Sequence, residues 1–178
     1  MQLKLLTLNE LMDRLRTQMP VNLTVPDPFS GQPIHVHRED VMKIMVIDGA
    51  NLLADGQVLA AHFVEFARAQ RACEYSAEYA ERGYKKWRAQ RSNELRHSAK
   101  TKETKAPTVA ETEDAYRAHA DYERVSSEPA RWLMLAGLFE DLKNAMQIKS
   151  RVLTAQLHNL NDYERTVRAE DKVERSRT

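Results

Sequence analysis

The sequence predicts a mainly α fold: a long antiparallel helical hairpin or bundle, preceded by a small N-terminal helix and a β-hairpin, in an oligomeric protein. Three observations lead there. Five Gly and six Pro in 178 residues are too few for the turns of an all-β fold. From Trp132 to Leu160 the residues Trp132, Leu135, Phe139, Leu142, Met146, Lys149, Leu153, Gln156 and Leu160 follow three-and-four spacing, and all but Lys149 and Gln156 are apolar. A second stripe runs Leu59, Phe63, Phe66, Gln70, Cys73, Ala77, Ala80, Tyr84, Trp87, with small residues in its middle where a partner backbone can come close. No Pro interrupts Leu59 to Ala106, so this helix is predicted to reach about forty residues, roughly 60 Å.

The elements follow in order. Thr7 and Glu10 form a capping box ahead of Leu8, Leu11, Met12 and Leu15, which opens a short helix ending near Met19–Pro20. Pro20, Pro26, Pro28 and Pro33, the alternation of Val21, Leu23 and Val25, and the Ser30–Gly31 turn predict a small hairpin, NLTVP then PIHVH. Helical spacing resumes at Glu39, with Val41, Ile44, Met45, Leu52 and Leu53 on one face and Gly49 and Gly56 as weak interruptions. Ser98 to Pro107 has no apolar residue larger than alanine and reads as a solvated loop or frayed helix end. Thr108 with Glu111 caps a polar helix through Tyr116 and Tyr122. Ser126 or Ser127 is expected to cap the last helix, with Glu128 and Pro129 in its first turn. Its stripe continues past Leu160 to Tyr163 and Val167. The organisation expected is an N-terminal module over residues 1–56, a long-helix region over 57–170 and a frayed tail over 171–178.

Composition narrows the class. The formal net charge is +1 with 30% charged residues, so the whole molecule is not a generic polyanion binder. The single cysteine, Cys73, cannot form an intrachain disulfide, which fits a reducing compartment. No apolar run reaches the roughly twenty residues a bilayer needs, so a cytoplasmic protein is expected. Cys–His zinc spacing, a Gly-rich phosphate loop and a nucleophile elbow are all missing from the sequence. A non-enzymatic protein without cofactor or metal is the expectation. Two long helices with one stripe each leave stripe edges exposed unless neighbouring copies cover them. Phe63, Phe66, Trp132, Leu135, Phe139, Leu142, Met146, Leu153 and Leu160 are the expected seam, within the chain or between copies.

Local charge is uneven. Arg82 to Lys105 holds Arg82, Lys85, Lys86, Arg88, Arg91, Arg96, Lys100, Lys102 and Lys105 against Glu94 and Glu103; nine minus two gives +7. Tyr84 and Trp87 are interleaved. Such a strip suits single-stranded nucleic acid, where cations follow phosphates and a ring such as Trp87 stacks on a base; it also suits a solvated face with both aromatics in the seam. Lys149, followed by Ser150 and Arg151, interrupts the last stripe. A cation there requires a carboxylate, backbone carbonyls or an anionic ligand, or an escape to water along its own stem. Residues 46–52, VIDGANL, look like the first strand motif of PIN- and NYN-type nucleases, which would make Asp48 a metal ligand. Such a site needs further carboxylates at parallel strand ends, and no further strand candidate follows. His35 and His37 with Glu39 and Asp40 have the composition of a metal site, although alternate residues on a hairpin more often form an exposed face.

Beyond these features, the second half of the chain resembles the UvsY family of phage recombination mediators. The resemblance rests on EDAYRAHADYERV (113–125), a Trp-initiated helix, and LKNAMQIKSRVLTAQLHNLNDYERTVRA (142–169), with the IKSR tetrad Ile148–Arg151 its most specific part. A looser match extends back to residue 58. It implies an all-α, ring-like homo-oligomer that binds single-stranded DNA and helps a RecA-like recombinase replace single-strand-binding protein, in the host cytoplasm if phage-encoded. In that reading Lys85, Lys86, Arg88, Arg91 and Arg96 are the main phosphate contacts, with Arg82 and Lys100 beside them. Lys149 and Arg151 are secondary contacts or interface residues. The rivals are a helical assembly scaffold that binds no DNA and a metal-dependent nuclease built on Asp48. Residues 1–56 lie outside the resemblance.

Overall fold

The computed structural model describes residues 7–46 and 52–175, and the fold is mainly helical as the stripes predict. In order come α1 (Leu8–Gln18), β1 (Asn22–Val25), β2 (Ile34–His37), α2 (Arg38–Met45), α3 (Leu52–Thr101), α4 (Val109–Arg117) and α5 (Tyr122–Arg175). The strands pair as an antiparallel hairpin, and the two long helices pack together. Among the described residues no helix is long and apolar enough to cross a membrane. Of residues 46–52, Val46 caps α2 and Leu52 begins α3, while Asp48, the metal ligand of the rival nuclease reading, lies outside the described residues.

Contacts divide the chain into two compact units, and both long helices contribute to each. The first gathers α1, α2, the base of the hairpin, α3 up to Arg68 and α5 from Phe139. Its core is built from Leu11, Leu15 and Met19, from Val41 and Met45, from Phe66, and from Phe139, Leu142, Met146 and Leu153, all buried. Phe66 meets Phe139 with ring centroids 6.0 Å apart, and Lys143 Nζ lies 5.8 Å from the Phe63 ring. Going from 63 to 66 on α3 therefore runs from 143 to 139 on α5, which makes the pair antiparallel. An Arg14–Asp141 ion pair ties α1 to α5.

The C-terminal ends of α1 and α2 leave carbonyls without intrahelical donors, and each end recruits a cation. The Arg38 guanidinium donates to the carbonyls of Arg16 (2.9 Å) and Met19 (3.3 Å). Lys149, 6% exposed, donates to Ile44 O (2.7 Å) and Val46 O (2.6 Å). Its charge also suits the negative end of the α2 dipole. The seam cation thus meets backbone carbonyls within its own chain, and its ammonium is turned away from solvent. Backbone carbonyls are one of the partners expected for a cation in the seam, and they are the ones it meets here.

The second unit gathers the hairpin tip Thr24–His35 with Ala69–Leu138. Ala69, Ala72, Cys73 and Ala77 of α3 are buried, as are Leu135, Ala136 and Leu138 of α5. The small middle of the α3 stripe is thus a buried face. At the tip, Asp27 accepts from Phe29 N (2.9 Å) and Ser30 Oγ (2.8 Å), and its carbonyl accepts from Gly31 N (3.1 Å). Gly31 sits at φ 70, a conformation that favours glycine there.

Both predicted capping boxes form, at Thr7–Glu10 and Thr108–Glu111. The start of α5 differs from expectation: it begins at Tyr122, so Ser126, Ser127, Glu128 and Pro129 lie inside it. Both serine hydroxyls bond back to carbonyls of the preceding turn, Glu123 and Arg124. Tyr122 packs against Trp87 of α3 with centroids 6.3 Å apart, a tertiary contact that holds helix ahead of the proline.

Candidate nucleic-acid interface

The basic residues of α3 separate into two sets by helical phase. At about 100° per residue, Arg82, Lys85, Lys86, Arg96 and Lys100 share an arc of about 100°, and all five are exposed. Ala89 and Asn93 fill the gap between them, also exposed, and no carboxylate between 82 and 100 falls in the arc. Lys85 reaches one turn back to Glu81 at 2.7 Å, and this hydrogen bond lowers the Glu81 pKa. Exposed pairs of this kind are weak and exchange readily for another anion. Lys102 and Lys105 follow in the exposed loop after α3.

Arg88 and Arg91 belong to the other set. Arg88 forms an ion pair with Glu113 of α4 and lies 5.8 Å from the Tyr84 ring centre and 5.2 Å from that of Tyr116. Tyr116 OH donates to Arg88 O at 3.0 Å. Arg91 pairs with Glu94 at 2.6 Å. Both arginines are half-buried and hold α4 and α3 together or pair along α3, unlike the five exposed cations.

Trp87 is also turned inward. Its ring packs against Tyr84 (6.3 Å), Tyr116 (5.8 Å), His119 (5.5 Å) and Tyr122. Its indole Nε1 is buried, with no hydrogen-bond partner among the described residues. These neighbours occupy the ring that base stacking would use. Burial, then the hydrogen bond with Tyr122, raises the Tyr84 phenol pKa above its ordinary value.

The remaining candidates are placed as follows. Arg151 is exposed on α5. Of the seam residues, Phe66, Leu135, Phe139, Leu142, Met146 and Leu153 are buried, Phe63 and Trp132 are half-buried, and Leu160 is 51% exposed. His35 Nδ1 lies 3.2 Å from Thr24 Oγ1 and His37 Nδ1 2.7 Å from Asn22 Oδ1. No group of three or more His, Cys, Asp or Glu among the described residues is arranged to hold a metal.

A cavity of about 640 Å³ opens between the hairpin tip, α3 and the first turns of α5. Its walls are Tyr75, Tyr79, Tyr84, Trp87 and Trp132, with Asp27 and Glu128 among the lining residues. Gly83 also lines it, and a Cβ built there meets nothing within 4 Å. Glycine inside a helix is about 1 kcal/mol worse than alanine, and no contact of the fold requires it at 83. The available signal was Tyr75 and Tyr79 at i, i+4 off the apolar stripe, one turn before a mid-helix glycine. Comparison with protein-family models, curated proteins and solved structures gives no match to this chain.

Proposed function

We propose that this chain binds single-stranded DNA along the exposed basic arc of α3 and acts as a recombination mediator. In this role it helps a RecA-like recombinase take the place of single-strand-binding protein. The observation that carries the reading is the phase of Arg82, Lys85, Lys86, Arg96 and Lys100: five cations share one exposed face, while the core and α4 engage the opposite face. The resemblance over residues 58–169 supplies the mediator role, and that role asks for no catalytic residue. Moderate phosphate contacts repeated over several copies hold a strand by avidity and still allow exchange.

The test is fluorescence anisotropy with a labelled oligothymidylate over a salt series. Five phosphate contacts on a single strand predict a log–log salt slope of about −3.5. Lys86→Glu with Arg96→Glu should weaken binding by at least tenfold at low salt and flatten that slope. Binding that ignores salt, or that survives the double substitution, removes the proposal. The assembly-scaffold reading draws on a different observation, the exposed apolar residues Ile148, Val152, Leu160 and Tyr163 of α5. It predicts self-association without any affinity for DNA.

A further inference from the structure

The cavity of the second unit combines two chemistries that together select a ligand. Five aromatic rings line it, with Tyr79 and Trp132 outside the packed cluster around Trp87, and two carboxylates, Asp27 and Glu128, supply negative charge. Among the described residues no lysine, arginine or histidine lines it. Aromatic faces beside carboxylates attract an organic cation, because the ring quadrupole and the carboxylate act in the same direction. The same cluster already holds one guanidinium this way, Arg88 over Tyr84 and Tyr116. A nucleotide is a poor fit, since its phosphate would lie close to the carboxylates with no cation in the wall to meet it.

The size and openness agree with a bound ligand. About 640 Å³ lies within the range of ligand pockets. Tyr75 is 40% and Tyr79 68% exposed, so two of the rings stand at an open rim. Glu128 is exposed, and no ion pair among the described residues engages it. Gly83 lines the wall, and a Cβ built there meets open space, which makes it the position for a test substitution.

We infer that this cavity is a binding site for an organic cation headed by a guanidinium or alkylammonium group. The cation enters either as an arginine or lysine side chain of a partner polypeptide or as a free small molecule. The site goes beyond the proposed DNA interface: Ala80, Gly83 and Trp87 lie on a different flank of α3 from the basic arc, while the rim tyrosines Tyr75 and Tyr79 border it.

The chain offers its own reporter. Trp87 and Trp132 are its two tryptophans, and both line the cavity. The experiment titrates the full-length protein, followed by intrinsic fluorescence, with three probes: an acetyl-Gly-Arg-Gly-amide peptide, its neutral citrulline counterpart and tetramethylammonium chloride. At least one cation should give a saturable change. The citrulline peptide should bind at least tenfold more weakly than the arginine peptide. Saturation by the peptide alone assigns the source to a polypeptide, and equal saturation by tetramethylammonium assigns it to a free cation. Gly83→Leu should abolish the response with the circular-dichroism spectrum unchanged, and Glu128→Gln should weaken it severalfold. Failure of both cations to saturate, equal binding of the citrulline peptide, or full binding by Gly83→Leu overturns the site. An oligothymidylate response that Gly83→Leu removes, with none from either cation, would make the cavity a base pocket instead.

Discussion

At the scale of single residues, burial decides what the titratable groups do. Lys149 sits in an apolar seam, yet its ammonium meets two carbonyls at 2.7 and 2.6 Å. Lys149→Met keeps the stem and strands both acceptors, so it should lower the unfolding free energy by about 2–3 kcal/mol. Urea titration measures this, and single-strand affinity should change less than twofold. A loss of DNA affinity at unchanged stability would return Lys149 to the surface role. Cys73 is fully buried, and burial pushes its thiol from 9.0 up to about 12, with the neighbouring Glu74 adding to the shift. The native state therefore keeps its proton while the unfolded chain loses one above pH 9. This contribution is fully present below pH 9 and is lost as the pH rises toward 12, at about 1.4 kcal/mol per pH unit. Between pH 8 and 10.5 the wild type should lose about 2 kcal/mol more than Cys73→Ala. Parallel pH profiles for the two proteins would show that the thiol titrates normally.

At the scale of elements, α4 stays on α3 through few contacts, chiefly the Arg88–Glu113 pair, the Tyr116 hydroxyl on Arg88 O and the rings around Trp87. Arg88→Ala removes a partly buried charge partner and a cation over two rings. Amides of residues 112–117 should then exchange with solvent at least tenfold faster, while those of α1 keep their protection. Unchanged exchange across α4 would show that the ring contacts suffice. The elements also show which parts of this fold a sequence can reveal. Both capping boxes were legible because their partners lie three residues apart. The start of α5 was not, because the Tyr122–Trp87 contact that extends it joins residues distant in the chain. The split of the basic strip was half legible: helical phase alone sets Arg88 and Arg91 on the other side from Lys86. That this other side carries α4 is a tertiary fact. The cavity was hidden for the same reason, since the hairpin tip, α3 and α5 each supply part of its wall.

At the scale of the whole molecule, the question is what covers the end of the α5 stripe. Met146, Leu153 and Leu160 follow one another at heptad spacing, so they share nearly the same phase. Met146 and Leu153 are each 2% exposed, whereas Leu160 is 51% and Tyr163 69% exposed. The stripe thus continues past the last buried residue, and water is a poor partner for it. Closed self-association covers such a stripe without leaving a new edge. Light scattering should therefore give a mass that is a multiple of the 20.5 kDa chain. Leu160→Glu with Tyr163→Glu places two like charges on the stripe and should return the protein to single chains. If the oligomer supplies the avidity proposed for DNA, the same variant should bind a long oligothymidylate ten- to a hundredfold more weakly. On an oligonucleotide only long enough for one chain, the two proteins should bind equally. A wild type that scatters as one chain would end the assembly reading and leave the basic arc to act alone. An unchanged mass in the double variant would place the contact elsewhere on the helices. Full affinity in a monomeric variant would separate strand binding from assembly.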